Sequence, residues 1–123
     1  MGRIRLGELQ IAIMEILWER DASVADVRGL LEPERSVAIT TVATVLGRLE
    51  KQGAVARRSE GGVYVYRALA TEREVRRSMV GDLVERLFHG DPHELVHHLI
   101  REEEVDPEIL ERFQVELAEG DGA

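Results

Sequence analysis

The stretch Thr40-Thr41-Val42-Ala43-Thr44-Val45-Leu46-Gly47-Arg48-Leu49-Glu50-Lys51-Gln52-Gly53 decides the fold. Val42, Val45, Leu46 and Leu49 recur at i, i+3, i+4 and i+7, the spacing of one buried helix face. Gly53 is a natural C-terminal stop, so a helix is predicted over roughly residues 40–52. On its wheel the face opposite that core carries Thr40, Thr44, Gly47 and Lys51, flanked by Ala43 and Arg48. These residues are small, hydroxylated or basic, and the central stripe holds no carboxylate.

Downstream, Val55-Ala56-Arg57-Arg58 and Val63-Tyr64-Val65-Tyr66-Arg67 read as two strands joined by Ser59-Glu60-Gly61-Gly62, a hairpin signal. Upstream, residues 8–19 read as a helix with two apolar stripes. Leu9, Ile13, Ile16 and Leu17 form one; Ile11, Met14 and Trp18 form the other. A helix apolar on two sides is sandwiched between partners. Asp21-Ala22 is a short connection. Ser23 then caps a second helix, with Asp26 completing a capping box. Val27, Leu30 and Leu31 are its expected buried face, and Pro33 ends it. Helix, helix, helix, hairpin is a winged helix-turn-helix: mainly α, three helices plus a two- or three-stranded wing.

From Thr71 the chain turns helical again. Thr71 with Glu74 is a capping box opening a helix that runs to about Phe88 and stops near Gly90. Asp91-Pro92 and Asp106-Pro107 each open a further helix, with Asp as N-cap and Pro at the first helical position. Two domains are expected: residues 1–70, a winged-helix DNA-binding domain, and residues 71–123, a helical dimerisation domain. Three short helices cannot bury enough surface to stand alone. A second copy is the favoured partner, because twofold pairing is the commonest arrangement. The expected interface residues are Val75, Met79, Leu83, Leu87, Phe88, Leu95, Leu99, Ile109, Phe113 and Leu117. The alternative is that the tail folds back on the stripe of Ile11, Met14 and Trp18.

Composition narrows the function. The 123 residues include 16 Lys+Arg, 24 Asp+Glu and no Cys, for a net charge of −8. Without cysteine there is no disulfide, thiolate metal site or cysteine nucleophile. With 33% charged residues, no apolar run approaches membrane-spanning length, so no membrane insertion is expected. No apolar leader develops after Met1, and the expected location is the cytoplasm. Acidity resides in the tail: residues 71–123 hold 15 acidic and 6 basic side chains, whereas residues 1–70 hold 9 and 10. Between 35 and 58 there are five basic residues and one acidic, so local charge, not net charge, bears on nucleic acid.

The third helix and wing therefore form the candidate DNA-binding surface. A major groove admits one α-helix whose exposed face does not repel phosphate. Thr40, Thr41 and Thr44 can hydrogen-bond phosphates or base edges, Arg48 and Lys51 supply charge, and Ala43 and Gly47 permit close approach. Arg57, Arg58 and Arg67 on the wing can follow a backbone. The competing reading is a winged-helix interaction module that does not touch DNA. A second motif, His93-Glu94-Leu95-Val96-His97, matches the H-E-x-x-H pattern of zinc hydrolases. It begins in the first turn of its helix, lacks an evident third ligand and has no partner domain to form a cleft. Neither an enzyme nor a cofactor or metal is expected.

Leu6-Gly7-x-Leu9, Ile13-Met14-x-x-Leu17-Trp18, Val24-x-x-Val27 and the Thr40–Gly53 run together resemble the penicillinase-repressor family, the BlaI/MecI type. Tyr64-x-Tyr66, Leu87-Phe88-x-Gly90 and Asp106-Pro107-Glu108 extend the resemblance over about residues 6–118. It implies a homodimeric winged-helix repressor of transcription acting on a palindromic operator. By motif match, Thr41, Thr44 and Arg48 become recognition-helix contacts, with Lys51 beside them. It also implies induction through a membrane sensor metallopeptidase or other protease that cuts the repressor in its dimerisation region. Three departures qualify the transfer. The chain has no Asn, whereas staphylococcal members are cut at an Asn-Phe bond. It has no Cys, whereas the copper-sensing branch carries a cysteine motif. Ala43 stands where staphylococcal members have Arg.

Overall fold

The first helix, α1 (Glu8–Glu19), starts where the Gly7 amide donates to the Gln10 side chain at 2.8 Å. A computed structural model describes residues 6–121; Met1–Arg5, where the absence of a leader was read, and Gly122-Ala123 lie outside the described residues. Ile13, Met14 and Leu17 of α1 are buried, and Ile11, Ile16 and Trp18 are half-buried. Both stripes of the helix are thus in use. Ala22, expected with Asp21 as a short connection, pairs together with the cap residue Ser23 as a two-residue strand, β1 (Ala22–Ser23). It pairs antiparallel with residues 65–66. Such a pairing is set by a partner some forty residues away, and nothing local in two residues signals it.

Ser23 then begins α2 (Val24–Leu31) with the reciprocal bonds of a capping box: Asp26 N to Ser23 Oγ at 3.1 Å and Ser23 N to Asp26 Oδ2 at 3.2 Å. Val27 and Leu31 are buried, but Leu30, expected in the core, is 42% exposed. An eight-residue helix turns a narrow stripe to its neighbours, and Leu30 falls beside it. The third helix, α3 (Ile39–Lys51), buries Val42, Val45, Leu46 and Leu49. Its end is a Schellman turn. Gly53, at φ +79°, donates to Glu50 O, and Ala54 N reaches back to Leu49 O at 2.9 Å.

The wing is β2 (Val55–Glu60) and β3 (Val63–Ala68), and the sheet order is β1-β3-β2. The hairpin loop is only Gly61-Gly62, not the four residues expected. Both glycines have positive φ, +58° and +82°, as the tightest turn compatible with strand twist requires. Val55, Ala22 and Tyr66 face the helices and join a core with α1, α2 and α3.

Beyond the wing lie α4 (Glu72–Leu87), α5 (Pro92–Arg101) and α6 (Pro107–Asp121). Each is capped as its sequence indicates. Thr71 Oγ1 accepts from Glu74 N, Asp91 Oδ1 from His93 N and Asp106 Oδ1 from Glu108 N. The chain divides into two compact units, the first ending at Val80 and the second beginning at Gly81, so α4 contributes to both. Val75 is buried in the core of the first unit, and Met79 packs against that core.

Trp18 ties this arrangement together within the first unit. Its indole N–H donates to the Ala70 carbonyl at 2.8 Å, just before α4 begins. Trp18→Phe keeps most of the ring contact but leaves that partly buried carbonyl without its donor. It should lower stability by about 1–3 kcal/mol, read as a reduced urea midpoint with an unchanged slope.

Candidate nucleic-acid interface

Burial of the Val42, Val45, Leu46 and Leu49 stripe sets the roll of α3, and the opposite face follows by helical geometry. Thr40, Thr41, Ala43, Thr44, Arg48 and Lys51 are all exposed, and Gly47 is half-buried. Arg48 and Lys51 have no carboxylate partner among the described residues. Thr44 Oγ1 donates to the Thr40 carbonyl at 2.9 Å, which satisfies its proton within the helix and leaves lone pairs outward. A Cβ added at Gly47 would meet no atom within 4 Å, so packing does not require glycine there. A mid-helix glycine costs about 1 kcal/mol relative to alanine. Glycine there leaves the helix surface low between Ala43 and Lys51.

The approach to α3 is held by Arg28, whose Nε donates to the Val37 carbonyl at 3.2 Å. Ile39, at the first turn, is 46% exposed. It stands three residues before Val42 and seven before Leu46, at the edge of the core stripe rather than on the polar face.

The wing arginines are not equivalent. Strand alternation sends Arg57 and Arg58 to opposite faces of the hairpin. Arg57 shares a face with Tyr64 and Tyr66. Its guanidinium lies 4.2 Å from the Tyr64 ring centroid, and its Nε is 3.4 Å from Glu50 of α3. Arg58, on the other face, bridges Asp21 at 2.7 Å and Glu60 at 3.0 Å. The two arginines therefore present their charge on different sides of the wing. Exposed pairs of this kind contribute about 0–1 kcal/mol and exchange readily for another anion. Arg67 is exposed and has no carboxylate partner among the described residues.

In the second unit His93, the first residue of the H-E-x-x-H run, is engaged at the start of α5. The Asp91 carboxyl is held below the usual carboxylate range by the His93 backbone N–H and imidazole it accepts from. Glu94 pairs with His89 at 3.3 Å. Among the described residues no group of three or more His, Cys, Asp or Glu side chains is arranged to hold a metal. No described helix is long and apolar enough to cross a membrane.

The residues expected at a dimer interface fall into two sets. Val75 and Met79 are used by the first unit's own core, beside Ile11 and Trp18 of α1. An apolar stripe already present in the same chain captures them with no association entropy to overcome. The rest lie in the second unit. Leu83, Leu87, Ile109, Phe113 and Leu117 are exposed, and Leu95 and Leu99 are half-buried. Phe88 is half-buried and packs at a tilt on His98, with centroids 5.6 Å apart. Among this unit's described residues only Val84 is buried.

Comparison with known proteins places this geometry. The transcriptional regulator BlaI of Mycobacterium tuberculosis is 30% identical over 122 residues, 96% of this chain and 88% of its own length. The penicillinase repressor of Staphylococcus aureus is 21% identical, with 83% of this chain and 82% of its own covered. The solution structure of the DNA-binding domain of the repressor BlaI superposes with a TM-score of 0.53 at 26% identity. That match covers 60% of this chain and 93% of that domain. The sequence profile described as penicillinase repressor matches residues 6–119. With that match spanning the winged helix and the helices after it, the chain belongs to the penicillinase repressor family.

Proposed function

We propose that this protein is a homodimeric, sequence-specific DNA-binding repressor of transcription that acts in the cytoplasm on a palindromic operator. The observation that carries the reading is the outer face of α3. It presents two unpaired cations, three threonines and an energetically costly glycine, and no carboxylate on its central stripe. In this reading α3 enters the major groove. Thr40, Thr41, Ala43, Thr44, Gly47, Arg48 and Lys51 meet bases and phosphates, and Arg57, Arg58 and Arg67 exchange or extend contacts to the backbone. The named relatives are transcriptional regulators or repressors, which supports it.

The second unit supplies the dimer. A unit that buries one side chain among its described residues while exposing Leu83, Leu87, Phe113 and Leu117 gains most from a second copy of itself. Two α3 helices are then presented to half-sites about one helical turn, 34 Å, or a small multiple apart. Strong acidity keeps this unit off the duplex. Relief of repression fits cleavage within it by a membrane sensor metallopeptidase or another protease, because a cut there uncouples the two heads. The bond is not Asn-Phe, since the chain has no Asn.

The direct test is fluorescence anisotropy against the inverted repeats upstream of its own gene and against a scrambled duplex, at two salt concentrations. Binding that is tight on the repeat and falls steeply with salt supports the reading. Equal, weak binding to both duplexes favours the interaction module instead. Arg48→Ala should weaken operator binding by about 1–3 kcal/mol without lowering the melting temperature. Gly47→Ala should separate stability from function. The helix gains about 0.5–1 kcal/mol while operator affinity falls, and an Ala variant that binds as tightly would remove close approach at Gly47 from the interface. Leu87→Asp, at a site 65% exposed in the single chain, should leave the monomer folded and shift sedimentation from dimer to monomer.

A further inference from the structure

The first unit carries eleven acidic side chains. Several gather along a groove between α1 and α2, away from α3 and the wing. The groove is open and holds about 400 Å³. Its floor is apolar: Ile11, Ala12 and Ile16 from α1, with Leu30 and Leu31 from α2. Leu30 is the side chain expected in the core and found 42% exposed, so aliphatic surface is left uncovered on this floor. The rim is Glu8, Glu15 and Glu19 along one side and Glu34 on the other, with Arg35 the one cation lining it. Arg35 is already bound to Glu8 at 3.1 Å, and Glu19 pairs with Arg20 at 3.5 Å. Glu15 and Glu34 have no cationic partner among the described residues.

We propose that this groove docks a basic amphipathic helix of a partner protein. From Glu8 to Glu19 the groove follows α1 for about 16 Å, three helical turns, which matches the contact length of a helix laid along it. The apolar floor takes the partner's i, i+3, i+4 and i+7 anchors, the usual way a groove reads a helix. The carboxylate rim selects Lys or Arg on the flanks. The same charge argues against the tail of a second copy, which is itself strongly acidic. No groove residue belongs to the outer face of α3, so docking and DNA binding are compatible in one molecule. This inference does not rest on the identity of the operator. It gives the DNA-bound protein a site through which another protein could be recruited or excluded.

The test uses the full-length protein and a labelled Leu/Lys amphipathic peptide of about four helical turns, with a Leu/Glu peptide of the same pattern as control. Amide shift mapping should place the Leu/Lys peptide on α1 and α2. Leu30→Ser and, separately, Glu15→Gln with Glu19→Gln should each weaken it by about fivefold or more, while operator affinity stays unchanged. Four outcomes overturn the proposal. Shifts confined to Glu102–Glu119 would mean the peptide is held only by the tail's charge. Equal binding of the Leu/Glu peptide would mean apolar adhesion without selection. Concentration-dependent shifts of α1 and α2 without peptide would assign the groove to a second copy. Tighter binding of tetraphenylphosphonium than of the peptide would make it a small-cation site.

Discussion

Burial of four aliphatic side chains on α3 is the contact on which the rest of the molecule depends. Val42, Val45, Leu46 and Leu49 pack into the space formed by α1, α2 and the wing, and each contributes about 1.5–3 kcal/mol through loss of exposed apolar surface. Their stripe has no freedom to rotate without exposing one of them. The roll of α3 is therefore fixed by the core, and whatever stands on the far side is presented outward with equal rigidity. Function here is the complement of packing.

That constraint explains why the polar groups outside α3 are arranged as they are. The Schellman turn at Gly53 ends α3 sharply enough for Val55 to return into the same core. The hairpin then brings Arg57 back over Glu50. The capping box at Ser23 starts α2 directly after β1, and Asp21, the residue before that strand, meets Arg58 across the sheet. The wing is thus joined to the rest of the first unit through one apolar face and the exposed ion pairs Arg57–Glu50 and Arg58–Asp21. The apolar face is stable, whereas the ion pairs are weak enough to be traded for phosphate. Arg48, Lys51 and Arg67 are held in no such pair among the described residues, so their charge is immediately available.

Charge is segregated in the same spirit. A chain of net charge −8 leaves the outer stripe of α3 free of carboxylates because most of its acids stand elsewhere, many of them in the second unit and some along the groove between α1 and α2. Glu50, the one acid within the basic stretch 35–58, is turned toward Arg57. Net charge is a poor guide to partners whenever side chains of one sign can be sorted onto separate surfaces.

The elements themselves were legible in the residues. The limits of α1, the Ser23–Asp26 cap, the four buried positions of α3 and the starts of α5 and α6 all follow from local spacing and capping chemistry. So does the outward face of α3, because a helix has one periodicity and its core stripe implies its opposite. The hairpin too is signalled by its residues, but as a four-residue connection, Ser59 to Gly62, whereas strand pairing continues through Glu60 and leaves only Gly61-Gly62 as the loop. What the tertiary structure decided are the relations between segments distant in the chain. Ala22–Ser23 became a strand only because β3 lay beside it. Leu30 stayed exposed because its neighbours filled the core without it. Val75 and Met79 joined the first unit because Trp18 and Ile11 were within reach, and Arg57 and Arg58 parted to opposite faces and found Glu50 and Asp21. Local periodicity says which side of an element is apolar. Which surface covers it is set by a competition among all the surfaces the folded chain brings near, and that competition has no signature in any one stretch of residues.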